Sequence, residues 1–307
     1  MSFHHITVLL NESIELLNIN PNGIYVDGTL GGGGHSELVC QHLKGGRLIG
    51  IDQDREAIAA ATDRLEPFDG MVTTVRDNFR NIKGILSALE IDSIDGAILD
   101  LGVSSHQLDT GERGFSYNTD APLDMRMDKD SQKSAYTVVN TYDEAELAKI
   151  MFEYGEERHS RRIARKIVQS REVQPIETTF ELVDVIKQAM PRFADKHPAK
   201  RTFQAIRIEV NDEIALLKDA VRDFFDVLKP EGRLCIISFH SLEDRIVKQT
   251  FAESEGRCTC PGDFPICVCG KVPQGKIITR KPTTASDDEL AQNNRAHSAK
   301  LRCIEKL

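Results

Sequence analysis

At 307 residues, with 40% hydrophobic and 28% charged residues, the chain has the composition of a soluble globular protein of one large or two ordinary domains. It holds no apolar run of about 18 residues, which excludes a membrane-spanning helix. The net charge of −9 argues against indiscriminate binding to nucleic acid, while leaving room for a local basic face. The opening MSFHHITVLLNES lacks the basic and apolar regions of a signal peptide. Seven cysteines without an export signal fit a reducing compartment, so a cytoplasmic location is expected.

Elements alternate through the first hundred residues. Strands are predicted over 23–27, 47–52, 71–75 and 96–100, and helices over 35–43, 55–65 and 82–89. This repetition implies a parallel sheet with helices on both faces, whose ligands bind beyond the carboxyl ends of the strands. Asp27, Asp52, Phe79 and Asp100 all fall at those ends. The turn after Asp27 is Thr29-Leu30 followed by Gly31, Gly32, Gly33 and Gly34. Glycine lets a ligand lie against bare backbone, and the helix behind offers unpaired N–H groups. Asp52 stands about where such folds place the acid that grips a ribose diol, so a nucleoside-containing cofactor is expected. The dinucleotide pattern G-x-G-x-x-G has Ser36 in its third place. The pattern D-x-G-x-G-x-G runs through Asp27, Thr29, Gly31 and Gly33, with Thr29 replacing a glycine. At this point both cofactor classes stay open.

After Leu101 a stretch rich in Gly, Ser and Asp has no clear period and reads as a long functional loop. From 134 to about 208 the pattern is helical. A strong amphipathic helix is predicted over 212–228, a turn at 229–232 and a buried strand over 233–238. The simplest architecture is an α/β sheet domain interrupted by an all-helical insertion. The insertion carries the basic character missing from the whole: RHSRRIARKIVQSR, 158–171, has six Lys/Arg and no acid. Ile163, Ile167 and Val168 would form its apolar stripe, leaving Arg158, Arg161, Arg162 and Arg165 outward. Guanidinium forks match phosphate, so these four are candidate RNA contacts. The alternative is a solvated face paired with Glu153, Glu156 and Glu157. Cys40, Cys235 and Cys303 read as inert thiols. Cys258, Cys260, Cys267 and Cys269 could make a tetrahedral zinc site, although C-x-C pairs are tighter than the usual ligand spacing. They otherwise form a thiol-rich loop, and no metal is assigned.

The segments VDGTLGGGGHS (26–36), LDLGVSSHQLD (99–109), RGFSY (113–117), PLDMRMD (122–128) and SFHSLEDR (238–245) closely resemble the bacterial family that methylates cytosine N4 in 16S ribosomal RNA. The resemblance runs over nearly the whole chain. It implies a Rossmann-like methyltransferase fold with an inserted helical domain, divided as 1–108 with 209–307, and 109–208. The implied cofactor is S-adenosyl-L-methionine, held by Gly33, Gly34, His35, Asp52, Phe79, Asp100 and Gln107. Gly33 and Gly34 would permit close approach of the methionine moiety, Asp52 would accept ribose hydrogen bonds, and Phe79 would pack on adenine. Asp100, Ser104 and His240 are the candidate catalytic residues. The implied partner is 16S rRNA within the small ribosomal subunit, near the decoding site, with no membrane; the oligomeric state stays open. A nicotinamide dehydrogenase using the same crevice and a non-catalytic RNA-binding factor are the competing readings. The clustered arginines disfavour the first, and the intact set Gly33, His35, Asp52 and Asp100 disfavours the second.

Overall fold

The computed structural model describes residues 7–104, 111–190, 197–256, 260 and 270–307. The elements of the first stretch are α1 (Leu10–Leu17), β1 (Ile24–Asp27), α2 (Gly34–His42), β2 (Arg47–Asp52), α3 (Arg55–Leu65), β3 (Val72–Arg76), α4 (Ile82–Ala88) and β4 (Ile94–Asp100). Five helices follow: α5 (Ala135–Thr141), α6 (Glu144–Glu153), α7 (Ser160–Arg171), α8 (Thr179–Ala189) and α9 (Lys200–Asn211). The chain closes with α10 (Leu217–Asp226), β5 (Leu228–Ser238), α11 (Ser241–Ser254), β6 (Gly275–Ile277), α12 (Asp287–Gln292) and β7 (Lys300–Lys306). Two compact units result, Met1–Gly102 with Ala215–Leu307, and Val103–Ile214.

The first unit is a seven-stranded sheet in the order β3-β2-β1-β4-β5-β7-β6. β1 to β5 run parallel, and β7 runs antiparallel between β5 and β6. The connections reverse direction between β1 and β4, which is where a doubly wound sheet opens a crevice for ligand. The central strands are apolar on both faces because helices cover both: Val26, Ile49, Ile51, Ile98, Leu99 and Ile236 are all buried.

Two local expectations change. The helix expected from residue 212 begins at Leu217, because Asp212 takes a left-handed conformation (φ 50) that ends α9. The turn expected at 229–232 is a bulge inside β5. Pairing to β4 jumps from Ile94–Leu228 to Gly96–Arg233, and Glu231 at φ 66 carries the extra chain outward.

The second unit packs α5 to α9 around Leu123, Met125, Val138, Met151, Ile167 and Ile186. The aperiodic stretch before it is built structure in its described part. The buried Arg113 donates to the carbonyls of Arg126 (2.9 Å) and Met127 (3.0 Å). Asp124 takes a two-pronged pair from Arg126 at 2.7 and 2.9 Å. Asn211 at the end of α9 accepts from the N–H of Met127 and donates to the carbonyl of Met125, both at 2.8 Å. Gly114 turns with φ 70, and a side chain there would overlap the carbonyl oxygen of Pro122. RGFSY and PLDMRMD are thus used to hold the stretch before α5 onto the helices.

Candidate active site at the tips of the parallel strands

The glycine turn leaves β1 at Asp27, which is 2% exposed. Its carboxylate accepts from Ser36 Oγ at 2.7 Å and from the N–H of Thr29 at 3.2 Å. Ser36, which spoils the dinucleotide pattern, therefore braces the acid at the end of β1. Burial, offset in part by the Ser36 and Thr29 hydrogen bonds, raises Asp27 to about 6. Gly31 (φ 49) and Gly33 (φ 75) are left-handed, and Gly33 caps α2. A Cβ on Gly34 would overlap Thr7 Oγ1, and one on Gly33 would press on Ala61 at 3.3 Å. The protein itself fills the space that a side chain on either of those two glycines would need. Gly31 is the open one, with nothing nearer its missing Cβ than the Thr29 carbonyl at 3.8 Å. His35 is buried and its Nε2 lies 3.1 Å from the carbonyl of Val8. What His35 can offer a ligand is its backbone N–H in the first turn of α2.

Asp52 ends β2 and organises the loop. One oxygen accepts from the N–H of Gly31 (2.8 Å) and the other from the N–H of Asp54 (2.9 Å). Each oxygen keeps further capacity to accept. Burial outweighs these bonds and raises Asp52 to about 6. The tip of β3 is tied to it: the N–H of Asp77 donates to the Asp52 carbonyl (3.1 Å), and Asn78 Nδ2 donates to Gln53 Oε1 (2.9 Å). Phe79 follows, half-buried, its ring 6.5 Å from that of Phe224 on α10.

Asp100 ends β4. Its N–H donates to Thr29 Oγ1 at 2.6 Å, so the threonine that replaces a motif glycine locks the tips of β1 and β4 together. Asp100 Oδ1 is buried without a hydrogen-bond partner. Burial, then the charges of Asp27 and Glu243, push Asp100 up to about 8. An acid held this far from its ordinary range at a strand tip is a functional-site marker.

The sequence profile of the MraW methylase family matches residues 2–307. The ribosomal RNA small subunit methyltransferase H of Brevibacillus brevis is 58% identical over 311 residues, covering 100% of this chain and 99% of its own. The protein of that name from Clostridium botulinum is 57% identical over 310 residues, with 100% of both chains covered. The chain belongs to the MraW methylase family. Among solved structures, an rRNA methylase from Streptococcus thermophilus aligns with a TM-score of 0.41 at 12% identity, over 97% of this chain and 93% of that one.

In this methylase the SFHSLEDR segment joins β5 to α11. His240 is the N-cap of α11: its Nδ1 accepts from the N–H of Glu243 at 3.4 Å. Glu243, 2% exposed, answers by accepting from the N–H groups of Phe239 (2.8 Å) and His240 (3.3 Å). An accepting Nδ1 leaves the ring proton on Nε2, which lies 3.1 Å from Glu243 Oε1 but out of line for a hydrogen bond. Asp244 then pins the helix to β7 through Arg302 (2.6 Å) and Lys300 (3.2 Å). This geometry makes His240 the cap of α11, with its Nε2 buried and without a hydrogen-bond partner. His240→Asn, which substitutes a good cap, is expected to keep turnover within about threefold. A loss of the order of 10²-fold, the mark of proton transfer, in single-turnover methylation would place His240 in the chemistry.

Ser104 falls in the second unit, half-buried. Gln107, Cys258, Cys267 and Cys269 lie outside the described residues; Cys260 is half-buried. Cys40, Cys235 and Cys303 are buried free thiols, and burial, then Asp27 and Glu37, push Cys40 up to about 12. Arg158, Arg161, Arg162 and Arg165 are all exposed, with Ile163 and Ile167 buried beneath them. Arg165 meets Glu144 at 3.4 Å. Arg171, the last of the basic run, is structural: it donates to the carbonyls of Val139 and Tyr142 at 2.7 and 2.6 Å.

Proposed function

We propose that this protein transfers a methyl group from S-adenosyl-L-methionine to the exocyclic N4 of a specific cytidine in 16S ribosomal RNA, near the decoding site. The observation that carries the reading is Asp100, a strand-tip carboxyl with a buried, unpartnered oxygen in the crevice of a methylase. The relatives' name supplies the small-subunit RNA.

The residues fit the cofactor. Asp52 has acceptor capacity left on both oxygens for a ribose diol, the half-buried ring of Phe79 offers a face to adenine, and the first turn of α2 presents N–H groups to a carboxylate. Gly33, Gly34 and His35 shape that turn, and Gln107 is proposed as a further contact. When bound, S-adenosylmethionine supplies an electrophilic methyl group on a positively charged sulfur. The nitrogen to be methylated is a poor nucleophile, because its lone pair is delocalised into the cytosine ring. Asp100, accepting one N4 hydrogen, localises that pair, and a positive charge placed beside Asp100 favours the carboxylate form that does so. Ser104 is proposed as polar support. The protein's remaining task is to align and desolvate the reactants, with the target base drawn out of its stack. Methylation at C5 would instead need a reactive thiol, which the buried Cys40, Cys235 and Cys303 do not supply.

The sheet portions 1–108 and 209–307 are proposed to hold cofactor and chemistry. The helical portion 109–208 is proposed to read RNA through Arg158, Arg161, Arg162 and Arg165. The small ribosomal subunit, in the cytoplasm, is the proposed place of action. The test is nucleoside mass spectrometry of 16S rRNA, taken from cells lacking the protein and incubated with it and methyl-labelled cofactor. N4-methylcytidine is the expected product. Label on C5, on another base or on none would overturn the reading.

A further inference from the structure

The α6–α7 pair presents an aromatic ring where no core receives it. Leu147, Ile150 and Met151 of α6 are buried, while Phe152 next to them is 64% exposed, the most exposed aromatic side chain among the described residues. The Glu144–Arg165 pair sets the start of α6 against the middle of α7. Two turns further along α6, Phe152 therefore stands at the same end of the pair as Arg158, Arg161 and Arg162. The short connection draws in a third element. A side chain on Gly155 would press on the carbonyl oxygen of Arg201, and Arg201 Nη1 donates to the carbonyl of Glu156 at 3.1 Å. Lys200 and Arg201, both exposed at the start of α9, join the same end.

The acids here are Glu153, Glu156 and Glu157. Glu157 is buried and accepts from the N–H of His159 at 2.8 Å. Among the described residues no ion pair joins Arg158, Arg161 or Arg162 to an acid, so the alternative pairing with the neighbouring glutamates is not formed. Unpaired guanidinium groups and an exposed ring at one end of a helix pair are the two parts of a single-strand RNA platform: phosphates on the forks, a base on the ring. A duplex would offer this surface phosphates and no base face. We propose that this end of the helical unit docks an unpaired stretch of ribosomal RNA, with one base stacked on Phe152 and the flanking phosphates held by Arg158, Arg161 and Arg162. The proposal rests on the rRNA methylase reading and specifies which form of the RNA the helical unit grips and where.

The chain contains no tryptophan, so Phe152→Trp introduces a single fluorescent reporter at the proposed contact. The probes are a single-stranded oligoribonucleotide and the same strand in a duplex, each titrated across a salt series, with binding followed independently by filter retention. The single strand is expected to quench Trp fluorescence, and the duplex to leave it unchanged. Phe152→Leu, at a position too exposed to disturb the fold, is expected to weaken single-strand binding about 5- to 100-fold at unchanged salt slope. Arg161→Ala with Arg162→Ala is expected to flatten that slope by about 0.7 for each phosphate no longer neutralised. Retained RNA with silent fluorescence, or Phe152→Leu binding as tightly as the parent, overturns the stacking site while methylation by the parent protein still stands. A parent protein that neither retains nor methylates the RNA overturns the functional reading itself.

Discussion

Asp100→Asn is expected to cut single-turnover methylation by about 10²- to 10⁴-fold, the range for a positioned group that handles a proton. Affinity for RNA should not change. Asparagine keeps the shape and the N–H to Thr29 Oγ1, so the loss would report the carboxylate alone. Turnover within about threefold of the parent would remove Asp100 from the chemistry. The same substitution carries a stability signature. The folded carboxyl sits at about 8, against 3.8 as the ordinary value. Between those values the folded state holds a proton that the unfolded chain has released, so stability falls as pH rises through the window. Asp100→Asn removes that slope. Its melting temperature should match the parent's near pH 4 and exceed it at pH 8. Catalysis runs the other way in the parent. The proposed role of Asp100 uses the ionised form, so kcat/KM should climb with pH and level off above about 8.

Asp52→Ala is expected to weaken cofactor binding by about 1.5–3 kcal/mol, the worth of hydrogen bonds to a charged group. The structure adds a second route to that loss. Asp52 also holds the N–H groups of Gly31 and Asp54, so alanine frees the glycine turn as well as removing the proposed ribose partner. Asp52→Asn separates the two: its amide oxygen can keep one of those N–H bonds, and its affinity should fall between parent and alanine variant. Calorimetry is the measurement. Unchanged affinity in Asp52→Ala would put the ribose elsewhere.

Much of the fold is legible in the sequence, and the parts that are not share a cause. β2 and α3 lie where periodicity places them, because an apolar run ended by Asp52 and an alanine-rich turn pattern leave little choice. β7 escapes such a reading because KLRCIEK mixes charge into its alternation. Arg302 is buried there only by pairing with Asp244, a partner 58 positions away. His240 and Glu243 suggest chemistry because a histidine at a strand end usually invites that reading. Their reciprocal hydrogen bonds to the start of α11 are a matter of backbone geometry. A capping signature with histidine in place of serine is the signal that could flag it. Thr29 looks like a flaw in a motif, and its bond to the Asp100 N–H depends on two strands 71 positions apart meeting at their tips. The basic run is legible as composition. That Arg171 faces inward, and that Phe152 is left exposed at the same end of the pair as the rest, depends on how α5, α6 and α7 pack.

The sheet order has a consequence for the order of assembly. β4 pairs on one side with β1 and on the other with β5, and the whole helical unit is encoded between β4 and β5. As the chain leaves the ribosome, the helices find their partners locally and early. The half-sheet β1 to β4 must wait for residues 228–238 with the apolar edge of Ile94–Asp100 unpaired, a template for strand addition by any neighbour. Asp100 lies on that waiting edge. The acid proposed to act on the target base is thus among the last groups to be enclosed, and a chain stalled before β5 would expose an adhesive strand together with an unfinished crevice.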